Sequence, residues 1–360
     1  APIVSYQIAP PSPEICAEHD LDAGFYKKCV VVHDIAVVGT DKLMDHTLLE
    51  TAYLFDKMMS SIAPDVAQRI RDRKVLCILA GIDELTSDFK TFKTNKTGKE
   101  LDFYNWRKRG FLAWPKRRPV VFFAEEDVLE LKGGSSKESI LIHEFGHVVH
   151  LVGCDKDQRT RITAAYKNAM AKKLWHDGSA TQYYWARNEE PISILDSLVE
   201  HFPGESLELL KKCIKAGDIL VNYKPVELKT TVQKKDRVSI HFGGEKACYA
   251  ASNENEYFAE GFQTWYDTNR VMDHDHNHID TRRELIKYDP DLAAICKELQ
   301  GDSKWRFISP KKRVGKGHLA HFDPATAPEK TTLPHIREAA DKHFLDYWKP
   351  YWERLRSKHQ

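Results

Sequence analysis

Residues 140–150 read ILIHEFGHVVH, an apolar run that carries closely spaced histidines and one glutamate. Residues four apart on a helix lie on one face, about 6 Å from each other. His143 and His147 can therefore both present a ring nitrogen to one Zn²⁺ ion, at about 2.0–2.1 Å. Glu144 lies beside them and can take a proton from a water that the metal activates. The stretch predicts a metal centre on a helix; the alternative is a buried helix whose polar residues bind no ion.

The neighbouring residues predict where this helix begins and ends. Ser135 is followed three residues later by Glu138, which is the spacing of a capping box, so the helix is expected to begin near Ser136. The apolar pattern continues through His150, and Gly153 is expected to end the helix.

The chain before the motif has the pattern of an α/β lobe. Three largely apolar segments, 29–39, 74–80 and 120–131, predict buried strands. Between the first two, residues 45–62 have apolar side chains at helical spacing. Strand, helix and strand in this order are typical of an α/β unit. The polar and basic segment 85–118 is expected to form an exposed loop or hairpin.

The chain after the motif has mostly helical patterns, at 158–176, 190–216, 253–268 and 335–357. We therefore expect two lobes. Residues 1–152 would form an α/β lobe that ends in the HExxH helix, and residues 153–360 a mainly helical lobe.

A catalytic zinc site needs a third protein ligand. The extended pattern HExxHxxGxxH does not continue here, because His150 occupies its glycine position and Gly153 its last histidine position. His150 itself lies about 10 Å along the helix from His143, at 1.5 Å per residue. This distance is too long for a shared ion, so we expect His150 to line the cleft or to support a ligand.

The segment YAASNENEYFAEGFQTWYD (249–267) offers carboxylates for the third position. Glu256 and Glu260 are four residues apart and share a helix face. Glu256 could bind the metal while Glu260 accepts a hydrogen bond from a ligand histidine. Glu254 is the competing ligand. The alternative for all of them is a solvated acidic face.

HEFGH, together with the pattern Y-x3-N-E-x-E-Y/F-F-A-E of residues 249–260, resembles the catalytic signature of gluzincin metallopeptidases of the anthrax lethal factor type. The resemblance covers about residues 139–152 and 247–298. It implies an α+β, zincin-like, two-lobed fold and one catalytic Zn²⁺.

The resemblance also implies a role for each site residue. His143, His147 and Glu256 would be the metal ligands, and Glu144 the general base. Tyr249, seven residues before the third ligand, would contact the transition state, a job for which a tyrosine hydroxyl can supply one hydrogen bond. Glu260 would accept a hydrogen bond from a ligand histidine. For Tyr249 the alternative is a plain core tyrosine.

Composition narrows the choice of partners. The net charge of +1 and the pI of about 7.8 give no sign of nucleic-acid or anionic-membrane binding. The longest apolar runs are far too short to span a bilayer. The partner we expect is a peptide or protein substrate; the sequence does not determine the oligomeric state.

The cysteines and one sequon bear on location. The seven cysteines form no CxxC pair and fit either up to three disulfides or a reduced protein. Cys154 is expected to be a disulfide partner. The single glycosylation sequon at Asn95 favours secretion.

A second histidine-rich stretch reads DHDHNH (273–278), with His274, His276 and His278 at alternate positions. It is expected to be a polar loop; the alternative is a second metal site.

Together these patterns predict a secreted, zinc-dependent endopeptidase. Two alternatives stay open at this point: a metal-dependent hydrolase of a non-peptide substrate, and a toxin or binding protein on a peptidase scaffold without turnover.

Overall fold

The computed structural model describes residues 6–135, 138–328 and 334–360. These residues mix helices with a smaller share of strands, which is compatible with an α+β fold. Within the described part of the chain, no helix is both long enough and apolar enough to cross a membrane.

The helices and strands follow one another along the chain. The helices are α1 Pro13–His19, α2 Asp45–Met59, α3 Pro64–Asp72, α4 Gly98–Arg107, α5 Glu125–Val128, α6 Ile140–Val148, α7 Lys156–Ala171, α8 Ile194–His201, α9 Leu207–Ala216, α10 Glu254–Trp265, α11 Arg282–Tyr288, α12 Pro290–Gln300, α13 Pro310–Arg313 and α14 Pro334–Lys358. The strands are β1 Lys28–Val32, β2 Ile35–Gly39, β3 Leu76–Ala80, β4 Gly110–Ala113, β5 Val120–Ala124, β6 Gly178–Trp185, β7 Ile192–Ser193, β8 Ile219–Val221, β9 Lys224–Pro225, β10 Thr231–Val232 and β11 Arg237–Lys246.

The described residues form two compact units. The first lies within Ala1–Lys172, Ser252–Arg270 and Ile279–Ala340, and the second within Lys173–Ala251, Val271–His278 and Asp341–Gln360. This division differs from the predicted boundary between residues 152 and 153. Helix α10 belongs to the first unit because it packs against α6, although it follows α6 by more than a hundred residues.

The first unit contains a five-stranded sheet in the order β1-β2-β3-β5-β4. Strands β2, β3 and β5 run parallel, and every residue in them is buried. Their sequences are continuously apolar because parallel strands are covered on both faces. Strand β4 pairs antiparallel with β5 and forms one edge of the sheet.

Two sequence expectations for this sheet need correction. Segment 29–39 is not one strand but the hairpin of β1 and β2, which turns at His33 and Asp34. Both turn residues have positive φ, 47° and 63°, which suits a tight two-residue hairpin. Segment 85–118, expected as an exposed loop or hairpin, contains helix α4 and the edge strand β4.

Aromatic rings connect the sheet to helices α6 and α10. The ring centroid of Phe55 on α2 lies 6.3 Å from Phe123 on β5 and 4.8 Å from Phe145 on α6. The Phe145 centroid in turn lies 6.5 Å from Phe262 on α10. All four side chains are fully buried, so α6 is held by the core on its sheet side and on its α10 side.

Helix α6 begins later than expected, at Ile140 instead of near Ser136. The hydroxyl of Ser139 caps it by accepting a hydrogen bond from the Ile142 backbone N–H at 3.3 Å. Glu138 takes no part in a capping box, because its carboxylate accepts a bond from Gln263 instead. After Val148 the helix widens into a π-helical turn, Val149–Gly153.

The second unit contains more strands than the prediction of a mainly helical lobe allowed. Strands β6, β11, β8 and β9 form a four-stranded antiparallel sheet in that order, and β7 pairs with β10. The predicted helix 190–216 is interrupted at Pro203-Gly204, and the two pieces are α8 and α9.

All seven cysteines are free thiols, and six of them are buried. Cys154, expected to be a disulfide partner, is a buried thiol whose pKa is raised to about 12 by burial. The free thiols give no support to a secreted location, which stays a prediction.

Candidate metal centre

Helices α6 and α10 approach each other closely at Gly146. A Cβ atom at this position would lie 3.0 Å from Cβ of Phe262 and 3.2 Å from Cα of Ala259. A side chain here would therefore need α10 to give way by a few tenths of an ångström. The glycine in HEFGH thus has a structural role: it lets α10 bring its carboxylates to the histidines of α6.

Three of the predicted ligands lie together between these helices. The Oε2 atom of Glu256 lies 3.1 Å from Nε2 of His143 and 3.3 Å from Nε2 of His147. Both histidines are buried, with 7% and 8% of their surface exposed, whereas Glu256 is half-buried. One carboxylate oxygen thus lies within 3.3 Å of a nitrogen of each ring.

The two distances from Glu256 fit the ligand spacing of a tetrahedral zinc ion. Two ligand atoms that are each about 2.0–2.1 Å from such an ion are separated by about 3.3–3.4 Å. The distances from Glu256 to the two histidine nitrogens are close to this value. Two imidazoles with one carboxylate are also a donor set that zinc accepts in catalytic sites.

Charges are strongly coupled within this group. Burial alone would raise the pKa of Glu256, but hydrogen bonds from His143 and His147 outweigh it and lower that pKa to about 2. Burial alone would lower the pKa of His143, but its bonds to Glu256 and Glu260 raise that pKa well above its usual value. The carboxylates of α10 therefore create a strongly negative environment for any cation bound by the histidines.

Two side chains of α10 orient the ring of His143 from behind. Its Nδ1 atom lies 3.0 Å from Oε1 of Gln263 and 3.3 Å from Oε1 of Glu260. With both acceptors on Nδ1, the Nε2 atom is directed at Glu256. Gln263 was not singled out in the sequence, although it lies seven residues after Glu256, two helical turns along the same helix.

A buried network in turn fixes these two side chains. Gln263 donates a hydrogen bond of 2.9 Å to Glu138, which pairs with Arg270 at 3.0 Å. Glu260 accepts a bond of 2.9 Å from Asn269. Such support normally fixes the tautomer and orientation of a ligand histidine. No pattern in the sequence predicted this supporting role for Asn269 or Arg270, and Glu138 was expected only in a capping box.

The ring of His147 is held differently. Its Nδ1 atom is buried and has no hydrogen-bond partner within the described residues. Its orientation instead comes from packing: the His147 ring lies edge-on to that of His143, with centroids 5.0 Å apart.

Glu144 lies next to the histidines and close to the sheet edge. One ligand atom from each of His143, Glu144 and His147 lies within 4.8 Å of the other two. A Cβ atom at Gly110 of β4 would lie 3.8 Å from Cγ of Glu144. The edge strand therefore runs directly beside the carboxylate expected to act as base.

His150 is not exposed in a cleft, as one expectation allowed. It lies in the π-helical turn with 2% of its surface exposed, and its ring packs on Phe258 at 5.2 Å. Burial lowers the pKa of His150 to about 4, so the ring is neutral at physiological pH. A supporting role for His150 through packing stays a prediction.

The other predicted residues lie elsewhere. Glu254 is the first residue of α10 and makes no hydrogen bond or ion pair with either histidine in the described structure. Tyr249 belongs to the second unit, where it begins a short 3₁₀ turn and its backbone N–H donates to the Asp275 carbonyl at 2.7 Å. Its predicted contact with the transition state stays a prediction.

In the DHDHNH stretch, Asp273, His274 and His276 bond to other residues of the same stretch. Oδ1 of Asp273 lies 2.9 Å from the backbone nitrogens of Asp275 and His276 and from Nδ1 of the His276 ring. His274 pairs with Asp275 at 2.9 Å. Among the described residues, no cluster of side chains close enough to share a metal ion includes a residue of this stretch.

Comparison of the chain with protein-family models, with curated proteins and with solved structures finds no match. The function must therefore be argued from the chemistry of the site itself.

Proposed function

We propose that the chain is a zinc-dependent endopeptidase of the gluzincin type, with a zincin-like fold. The observation that carries the proposal is the position of Glu256, whose carboxylate lies within 3.3 Å of a nitrogen of both His143 and His147. Zinc held by these three residues would polarise a carbonyl group and lower the pKa of water toward about 7.

In this proposal the protein supplies the proton transfers and the positioning. Glu144 takes a proton from the attacking water and passes it to the leaving amine. Glu260 and Gln263 hold the His143 ring with Nε2 forward. The Tyr249 hydroxyl donates a hydrogen bond to the developing oxyanion.

The edge strand β4 supports a peptide substrate over other classes. It pairs with β5 along one side only, and no other described strand covers its second side. The backbone groups on such a side can bind an extended peptide as an added strand. Because β4 runs beside Glu144, a peptide bound there would pass close to the base.

The first experiment is the zinc content of the purified chain, prepared without chelator, for wild type, Glu256→Ala and Glu254→Ala. We expect Glu256→Ala to lose one zinc per chain relative to wild type. Glu254→Ala is the matched control, since it removes a carboxylate two residues away that contacts neither histidine, and it should keep the wild-type content.

The second readout is cleavage of an unfolded protein, such as reduced casein, with and without chelator. Cleavage should stop when zinc is removed and return when zinc is restored. A wild-type chain without metal, or the same zinc content in all three proteins, would contradict the proposal.

A further inference from the structure

A second group of metal-ligand side chains lies in the second unit, and its members are distant in sequence. Cys213, Asp218 and His359 each bring one ligand atom within 4.8 Å of the other two. We propose that these three side chains form a second metal site, which binds a divalent ion with affinity for thiolate, such as Zn²⁺. The site is independent of the proposed peptidase centre.

The end of helix α9 brings the thiol and the carboxylate together. Gly217 has a φ of 78°, and its backbone N–H donates to the Ile214 carbonyl at 3.1 Å. The Asp218 N–H donates to the Cys213 carbonyl at 2.9 Å. These two bonds define a Schellman motif, in which the residues at the Cys213 and Asp218 positions frequently make a hydrophobic contact. Here a thiol and a carboxylate occupy those positions instead.

The end of α14 supplies the imidazole. Nε2 of His359 lies 2.7 Å from Oδ2 of Asp218, while the ammonium of Lys358 lies 2.7 Å from Oδ1. Lys212 donates a hydrogen bond of 2.7 Å to the His359 carbonyl and holds this residue against α9. Oδ1 of Asp218 is thus paired with the Lys358 ammonium, and Oδ2 is hydrogen-bonded to the His359 imidazole. A metal ion can replace the proton of this hydrogen bond.

The thiol selects the kind of ion. Burial raises the pKa of Cys213 to about 12, so the metal-free side chain is a neutral thiol. When an ion binds, the S–H bond breaks, the sulfur–metal bond forms, and the proton leaves to solvent. A thiolate ligand favours zinc and its chemical relatives over magnesium or calcium, which prefer all-oxygen sites.

One member of the cluster lies at a surface cavity. His359 lines a surface cavity of about 370 Å³, together with charged side chains that include Glu205, Lys212 and Arg356. Of the three proposed ligands, the imidazole is therefore the one that faces this cavity. Cys213 and Asp218 form the closed side, since both are buried.

The test is titration of the metal-depleted, full-length chain with Co²⁺, followed by absorption. A cobalt–thiolate bond produces a charge-transfer band in the near ultraviolet, whereas a site of histidines and glutamate does not. We expect the band in wild type, and in Glu256→Ala, where the peptidase centre is disabled, it should saturate at one Co²⁺ per chain. It should persist in Glu256→Ala, because that change affects only the proposed peptidase centre.

Two variants locate the band. Cys213→Ser should abolish it, and Cys154→Ser, which removes another buried thiol, should leave it unchanged. Because Cys213 is buried, His359→Gln provides a second test at a partly exposed position. It should weaken Co²⁺ binding by more than about tenfold, since losing only a group behind a ligand already costs about 10–100-fold.

Circular dichroism establishes that each variant is folded before titration. The proposal is overturned if wild type shows no thiolate band, if the band survives Cys213→Ser, or if folded His359→Gln binds Co²⁺ as wild type does. A loss of zinc in Glu256→Ala with no thiolate band would leave the peptidase centre standing and reject this second site.

Discussion

Two stretches of this chain combine histidines with carboxylates, but HEFGH lies on a helix and DHDHNH lies in a loop. In HEFGH, a helix directs His143 and His147 to the same side, and a second helix brings Glu256 to them. In DHDHNH, Asp273 caps the backbone of its own turn, and Asp275 pairs with His274 of the same loop and with Lys246. The helix therefore brings two imidazoles to one carboxylate, whereas the carboxylates of the loop are engaged in hydrogen bonds and ion pairs.

The loop nevertheless has a defined place in the second unit. Its Asp275 carbonyl accepts the backbone N–H of Tyr249, and Lys246 binds both the His274 carbonyl and the Asp275 carboxylate. The loop thus fixes the backbone of the tyrosine that is predicted to contact the transition state. In the proposed function, HEFGH would supply two metal ligands, and DHDHNH would hold the backbone of Tyr249.

The largest effect is expected from Glu144→Gln. The amide cannot accept the proton of the attacking water, so turnover of an unfolded protein substrate should fall by about 10²–10⁴-fold. Zinc content should stay at the wild-type value, because Glu144 is not an expected ligand. Glu254→Gln is the control and should keep full activity. Unchanged turnover in Glu144→Gln would show that the histidine helix does not carry the chemistry proposed for it.

Tyr249→Phe tests the role assigned to the second stretch. If the hydroxyl donates to the oxyanion, kcat should fall by about 10²–10³-fold while zinc content and KM change little. Steady-state kinetics on a peptide substrate separates the two constants. A drop in unfolding stability with unchanged kcat would instead identify Tyr249 as a core tyrosine.

Glu260→Gln weakens the support of a ligand without removing the ligand. The amide keeps the shape of the side chain but loses the charge that stabilises the proton on His143 Nδ1. Zinc affinity, measured by competition with a chelating dye, should fall by about 10–100-fold. Affinity equal to wild type would mean that Gln263 alone is enough to orient the ring.

The smallest effect is expected from the double variant His274→Gln, His278→Gln. We expect zinc content to stay the same as in wild type, because Asp273 and Asp275 are already engaged in hydrogen bonds and ion pairs. Loss of the partly exposed His274–Asp275 pair should lower the free energy of unfolding by less than about 1 kcal/mol, as measured in urea. Loss of one zinc per chain would instead show that the DHDHNH loop binds a metal ion.

Local patterns were enough to predict part of this structure. The i, i+4 spacing of His143 and His147 sets their common direction on any helix, and Glu256 and Glu260 follow the same rule on theirs. Buried strands β3 and β5 were also predictable, because a short apolar run that contains β-branched or aromatic residues favours a strand over a helix. Such features depend on residues within a few positions of one another.

Tertiary structure alone decided the rest, because it depends on contacts between residues far apart in the chain. Whether Glu254 or Glu256 faces the histidines depends on the rotation of α10, which is set by its packing at Gly146 and Phe262. Glu138 has the spacing from Ser135 that is typical of a capping box. It is buried, however, and accepts a hydrogen bond from Gln263, which lies far away in the sequence. Cys213, Asp218 and His359 span almost 150 residues, and only the docking of α14 on the end of α9 brings them together.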